Sequence, residues 1–261
     1  MRQTQLEPVK ALVQQIRKRL PRLGTRKLYY LLREELQALG IKLGRDGLFD
    51  YLRQHQLLVR PKKNYTKTTD SRHWMRKHPN LLAGCELHRP EQVFVSDITY
   101  VETDEGVHYL SLITDAFSRK IVGHNLSHEM KASDTVIALN QAIRHRATDQ
   151  PLIHHSDRGI QYCSSLYQSV LRKHQIQPSM TDGYDCYQNA LAERINGILK
   201  QEFLINRCRT FAELGVLIKE SVDAYNTYRP HLSLGMKTPQ EVHEKASSPG
   251  ALASTKTVNV F

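Results

Sequence analysis

The sequence predicts an α/β fold, a mixed sheet flanked by helices, preceded by a small all-α module. Three observations carry that prediction. Apolar residues recur at helical spacing through the first 60 positions. From about residue 91 they give way to runs rich in Val, Ile and Tyr, separated by turn residues. That later part then orders itself as three strands, helix, strand, helix, strand, helix, the order of a mixed rather than a purely antiparallel sheet.

The stretch "LEPVKALVQQIRKRL" predicts a first helix that ends at Pro21. "TRKLYYLLREELQALG" predicts a second, opened by a capping-type Thr25 and stopped at Gly40, with Leu28, Leu31, Leu32, Leu36 and Leu39 on one face. "GRDGLFDYLRQHQLL" repeats the pattern with Leu48, Tyr51, Leu52 and, towards its end, Leu57 or Leu58. Two short basic helices joined by a few residues suit a helix-turn-helix, so residues 1–60 are expected to form a DNA-binding module. Its candidate DNA contacts are Arg26, Lys27, Arg45 and Arg53.

Residues 61–90 lose the periodicity and read as a linker. "EQVFVSDITYV", "VHYLSLITDAF" and "KIVGHNLS" then read as strands, followed by a helix near 132–146, a strand in "PLIHHSD", a helix near 164–175 and a short segment "IQPSM". A loop and helix come next in "TDGYDCYQNALAERINGILKQEF", and a long helix near 211–227. Thr238, Pro239 and Glu241 make a capping box with proline at the first helical position, which predicts a short last helix. Residues 91–245 are thus the main domain, and 246–261, with little to bury, read as a disordered tail.

Charge is the first specific clue to function. Residues 1–80 hold 19 Lys and Arg against 6 Asp and Glu, whereas residues 81–261 hold 18 against 20, so the net charge of +11 is N-terminal. So steep an asymmetry favours a polyanionic partner, nucleic acid ahead of anionic lipid because no amphipathic anchor accompanies it. No stretch has the apolar length of a membrane span, and the N-terminus lacks the apolar core of a signal peptide. A cytoplasmic, nucleoid-associated location without a membrane partner is expected. The four cysteines are widely spaced, which indicates neither a disulfide scaffold nor a four-thiolate zinc site. His73, His78, Cys85 and His88 fit no standard finger spacing and read as polar linker residues.

Three acids stand out. Asp97 sits inside a strand among residues of high strand propensity, where Asp is disfavoured. Asp157 follows the apolar end of "PLIHHSD" and reads either as a turn or cap residue or as a ligand at a strand end. Glu193 lies 36 positions later, on the side of its helix away from Leu191, Ile195, Ile198 and Leu199; its plain reading is a first-turn carboxylate that complements the helix dipole. Lys200 falls within about 20° of Glu193 around the helix and could meet a phosphate. Gln188 and Asn189 precede the helix; Asn189 could cap it, and both could touch DNA. His155 reads as a packed core histidine, and Asp115 and Arg119 as turn and strand-pairing residues.

A strand Asp in "VSDITY", a second Asp in "HSDRGIQY" and a helix Glu after 35 intervening residues in "NALAER" resemble the catalytic triad of DDE transposases and retroviral integrases. "TDAFSRKIVG", "CYQNALAE", "LKQEF", "YNTYRPHLSLGMKTPQEV" and "GTRKLYYLL" resemble the second-frame product of the bacterial two-frame insertion-sequence family, over roughly residues 23–60 and 90–245. The resemblance implies an RNase H-like integrase catalytic core in which Asp97, Asp157 and Glu193 are catalytic and bind two Mg²⁺ ions, with Mn²⁺ able to substitute. Asp97 would bridge both ions, and Asp157 and Glu193 would each complete one. The chemistry suits the residue types: phosphodiester hydrolysis and transesterification need charge stabilised on non-bridging oxygens and a weak oxygen nucleophile activated, and hard cations that do both take carboxylate ligands.

The same resemblance implies a transposase that cleaves and joins the ends of an insertion sequence. Its partners would be double-stranded DNA of element ends and target, further copies of the chain on DNA, and the upstream-frame product. Family members work as a longer fusion whose upstream frame adds a helix-turn-helix and a coiled coil; this chain begins at Met1 without sustained heptads and resembles the downstream product alone. Two other functions use the same residues: a structure-selective nuclease, and an inactive DNA-binding derivative that regulates transposition. Loss of an acid would favour the latter, and all three are present.

Overall fold

A computed structural model describes residues 2–59, 74–182, 189–203, 205, 208–247 and 258–259. Three helices come first: α1 (Arg2–Arg19), α2 (Thr25–Ala38) and α3 (Arg45–Gln54). Gly24, not Thr25, is the N-cap of α2, and no side chain caps it; Thr25 is instead a buried residue of the first turn. The rest runs β1 (Glu86–Leu87), β2 (Val93–Thr103), β3 (Gly106–Asp115), β4 (Ile121–Ser127), α4 (Ala132–Arg144), β5 (Ile153–Ser156), α5 (Ile160–Cys163), α6 (Ser165–Lys173), β6 (Gln177–Met180), α7 (Ala190–Glu202), α8 (Phe211–Thr227), α9 (Pro239–Ser247) and β7 (Val258–Asn259).

Five strands form one sheet in the order β4-β3-β2-β5-β6. β2, β3 and β4 are an antiparallel meander, and β5 and β6 join it in parallel, so the expected mixed sheet is present. Alternation along the central strand β2 sends side chains to two different layers. Phe94 and Ile98 pack with Ala138 and Leu139 of α4 and with Tyr162 and Tyr167, while Val93 and Val95 pack with Ala192 of α7. Gly123 in β4 is required by the approach of α4: a Cβ there would stand 2.2 Å from the Ala138 carbonyl oxygen.

The N-terminal helices share a core with the second layer. Leu23, Leu28, Leu32, Leu48 and Leu52 belong to one buried cluster with Ile195 and Leu199 of α7 and Leu214 and Ile218 of α8. Short pieces appear that periodicity could not predict. Two residues of the tail, Val258 and Asn259, pair antiparallel with Leu87 and Glu86, so the expected disorder does not extend to them: their backbone groups find partners in a strand within the linker.

The turn after β3 has the structural role expected of it. Asp115 Oδ1 accepts the Ser118 N–H at 2.6 Å and its hydroxyl at 2.5 Å, and Oδ2 accepts the Glu91 N–H at 2.7 Å. Arg119, at φ +66, donates from Nη1 to the Ala116 carbonyl. The capping box of α9 is reciprocal: Glu241 accepts from the Thr238 N–H at 2.8 Å, and Thr238 Oγ1 from the Glu241 N–H at 3.3 Å. Among the described residues no helix is long and apolar enough to cross a membrane.

Candidate active site

The parallel pairing of β2 and β5 places the two aspartates. Val95 pairs with His155, and Asp97 and Asp157 each come two residues later, at the same end of adjacent strands. β2 continues there because β3 still pairs with it, opposite Leu112, whereas β5 stops at Ser156. Asp157 therefore opens a turn, its Oδ1 accepting the Gly159 N–H at 3.0 Å. The turn reading of Asp157 is thus present, and the turn leaves the residue at the strand end beside Asp97.

Helix α7 brings the third acid. Asn189, Glu193, Asn196 and Lys200 recur at spacings of three, four and seven and make one polar seam. That seam tracks β2. Asn189 Nδ2 donates to the Ser96 carbonyl at 3.2 Å, Asn196 Nδ2 donates to Asp97 Oδ2 at 2.7 Å, and Lys200 Nζ stands 4.7 Å from the centre of the Tyr100 ring. Glu193, in the exposed first turn, is one turn before Asn196 and so is delivered to the strand end that carries the aspartates. Ile195 and Leu199 lock the helix from its apolar side.

The proximity has electrostatic consequences. Burial and the neighbouring Asp157 push Asp97 up to about 8, with Glu193 adding to the rise and the Asn196 bond opposing it. Burial and Asp157 also raise Glu193. The Tyr162 hydroxyl, buried and near Tyr167, Asp157 and Asp97, is held well above its ordinary value. Burial lowers Lys200, while Asp97 and Glu102 hold its proton. Carboxylates raised by a neighbouring carboxylate mark a place where negative charge gathers.

That charge is what a divalent cation would relieve, and the donors are hard oxygens suited to one. Among the described residues no three His, Cys, Asp or Glu side chains are gathered closely enough to hold an ion as they stand. The acids are within electrostatic reach of one another rather than closed around a centre. By donor chemistry and charge the three residues fit the expected metals. His78, Cys85 and His88 form no such group either, and His73 lies outside the described residues.

The remaining candidates divide. Asn189 is only 4% exposed and uses its amide on Ser96, so it occupies the N-cap position without capping and without a surface for DNA: the helix is pressed against β2 there. Gln188 lies outside the described residues. Arg26 is exposed and, with Tyr29, Tyr30, Arg33, Arg45, Asp46 and Met236, lines a surface groove of about 340 Å³. Arg45 and Arg53 are exposed and bonded to Asp46 and Asp50 at 2.8 and 2.7 Å. Lys27 corrects the expectation of a DNA contact. Its ammonium lies 3.5 Å from Glu202, and burial, with the nearby Arg229, lowers it to about 8. It belongs to an internal charge cluster in which Arg229 grips Glu202 at 2.6 and 2.8 Å and donates to His231 Nε2 at 2.8 Å. His155 is buried against Ser179 at 2.8 Å, as a packed core histidine should be.

Asn196 is the residue that sequence reasoning missed. It is 4% exposed, and among the described residues its Oδ1 has no hydrogen-bond partner. The available signal was an asparagine, a poor helix former, set between Ile195 and Ile198 in a helix interior.

Comparison with known proteins agrees with this geometry. Two family patterns, each described as Integrase core domain, match residues 87–186 and 174–239. The chain is 36% identical over 225 residues to the insertion element IS600 uncharacterized 31 kDa protein of Shigella sonnei, covering 85% of this chain and 81% of that one. It is 31% identical over 218 residues to transposase InsF for insertion sequence IS3A of Escherichia coli strain K12, covering 82% and 75%. Among solved structures, the cryo-EM structure of a simian T-cell lymphotropic virus intasome in complex with PP2A regulatory subunit B56 gamma matches with a TM-score of 0.54 at 19% identity, over 87% of this chain and 76% of that chain, which shows a shared fold.

Proposed function

This chain belongs to the insertion-sequence transposases that carry the integrase core domain, and from that premise we propose how its residues act on DNA. It is a DNA transposase and a DDE polynucleotidyl transferase. Asp97, Asp157 and Glu193 are its catalytic acids. The observation that carries this assignment is the shared strand end of Asp97 and Asp157, onto which Asn196 draws the helix bearing Glu193.

The family uses divalent metals; in this chain Mg²⁺, as two ions and with Mn²⁺ able to substitute, is the expected choice. The cations supply charge stabilisation at the phosphate and activation of the attacking oxygen. Asp97, Asp157 and Glu193 would hold them, with Asp97 central because it feels both other acids. Asn196 fixes the orientation of the Asp97 carboxylate. Lys200, on the Glu193 side of α7, would meet a phosphate of the bound strand. Water attacks first to nick an element end, and the freed 3′-hydroxyl attacks a second strand in the same site. Exposed Arg26 and Arg45 on α2 and α3 would hold the duplex, as a helix-turn-helix module does. Further copies of the chain, and the upstream-frame product, would complete the assembly on DNA in the bacterial nucleoid.

A metal-dependent cleavage and strand-joining assay on duplexes carrying the parent element's ends tests the reading. Wild type should nick and join with Mg²⁺ or Mn²⁺, and Glu193→Gln should bind the same DNA without doing either. Cleavage without joining would favour a nuclease. End binding with no chemistry, even after addition of the upstream-frame product, would leave a DNA-occupying derivative.

A further inference from the structure

Residues 74–82 form a strap that belongs neither to the N-terminal helices nor to the five-stranded sheet, yet it is tied to the sheet's edge. The Pro79 carbonyl accepts the Met180 N–H at 3.3 Å, and the Leu81 N–H donates to Ser179 Oγ at 2.9 Å, both beside β6. Leu82 is buried, and Met75 packs against the cluster that holds Tyr162, Cys163 and Met180. Trp74, directly before that anchored methionine, is 92% exposed and is the one tryptophan of the sequence. A single exposed apolar side chain is ordinary by itself; what sets Trp74 apart is its place beside an anchored methionine and two exposed basic residues.

Its surroundings are cationic. Arg76 and Lys77 are exposed, and Arg158 follows Asp157 at the end of β5. The strand pairing locates the strap: Met180, whose N–H bonds the Pro79 carbonyl, is paired with Ser156, the residue before Asp157, so the strap is fastened beside the end of β5. An indole with basic residues alongside, close to a phosphodiester-cleaving site, matches the way proteins hold single strands, where cations track the backbone and an aromatic face takes a base.

We propose that residues 74–77 are a stacking platform for an unpaired DNA nucleotide next to the strand end of Asp157, with Trp74 taking the base and Arg76 and Lys77 the flanking phosphates. The proposal rests on the transposase reading and sharpens its substrate: an intact duplex keeps its base faces inside the stack, so the platform favours ends whose terminal bases are frayed or overhanging.

The single tryptophan makes the test direct, because intrinsic fluorescence reports Trp74 alone. The full chain in EDTA is titrated with a duplex bearing a short single-stranded overhang and with its blunt counterpart. Quenching by the overhang, well beyond that by the blunt duplex, is the expected result. Trp74→Ala should weaken overhang binding about tenfold with little effect on blunt binding, and Trp74→Phe should recover part of the loss. Equal quenching by both duplexes, or unchanged overhang affinity in Trp74→Ala, overturns the platform. If wild type still cleaves and joins element ends in that case, the transposase reading stands without it. A wild type that binds no DNA and performs no chemistry overturns both. Blue-shifted emission shielded from acrylamide in the free protein would mean that the indole is already covered, and would also overturn the platform.

Discussion

The two ends of helix α7 carry one glutamate each, in opposite electrostatic settings. Glu193, in the first turn, stands near Asp97 and Asp157; burial and Asp157 raise the proton affinity of both Glu193 and Asp97. Glu202, in the last turn, is gripped by Arg229 and faced by Lys27. Burial opposes its ionisation too, but the Arg229 bonds and the Lys27 charge outweigh that and hold it below its ordinary value. At the first end carboxylates stand near one another; the second already contains its counter-ions. The second end also joins three parts of the chain, since Lys27 comes from α2 and Arg229 from the segment after α8.

The sharpest way to break this contrast is Asp97→Asn. Removing one acid from the repelling group should cut cleavage and joining about 10³-fold or more, since several kcal/mol of charge stabilisation depends on it. Thermal unfolding of the metal-free protein should be no easier than in wild type. A variant melting well below wild type would make Asp97 a structural acid, like Glu202.

Glu202→Gln should do the reverse. Breaking a buried pair on one side should cost about 3 kcal/mol in urea unfolding at pH 7, with chemistry per folded molecule retained. The sign of its pH dependence follows from its depressed folded value. Glu202 contributes fully above the ordinary 4.5 and loses that contribution as pH falls through the lower folded value. The gap between wild type and variant should therefore be wide at neutral pH and narrow as pH falls below 4.5 and through the depressed folded value. A gap that widens on acidification would refute the pairing.

Asn196→Ala probes the link between the helix and the aspartate. Supporting groups around metal ligands are typically worth 10 to 100-fold, so joining at limiting Mg²⁺ should fall by about that factor and recover in part as Mg²⁺ is raised. A loss independent of Mg²⁺ would place the effect in helix packing instead. The smallest effect is expected for Lys200→Ala, which should weaken DNA binding only a few-fold and reduce the slope of log affinity against log salt by about one. An unchanged slope would assign Lys200 to its packing against Tyr100.

Much of the molecule was legible because local periodicity is a local property. The helix 211–227, the three-strand run and the capping box at Thr238 are set by neighbours a few residues away, and the structure has them where the pattern put them. The three acids were singled out for a different reason: spacing and residue type together resemble a known family, although each acid alone had an ordinary explanation. Thr25, read as a cap, was decided by packing, since burying its side chain in the first turn left the N-cap position to Gly24.

What the sequence by itself determined is the order of elements, the mixed sheet, the N-terminal concentration of positive charge and the three acids, all of which follow from side-chain periodicity, composition and spacing along one chain. Only the tertiary structure decided that Lys27 faces Glu202 across 175 residues rather than DNA, that Asn189 lies against Ser96, that Asn196 holds Asp97 and that Trp74 stands in solvent beside an anchored strap. The physical reason is that a charge or an amide carries no mark of its partner. Which group it meets depends on the distance and burial that long-range packing creates, and no window of sequence contains both members of the pair.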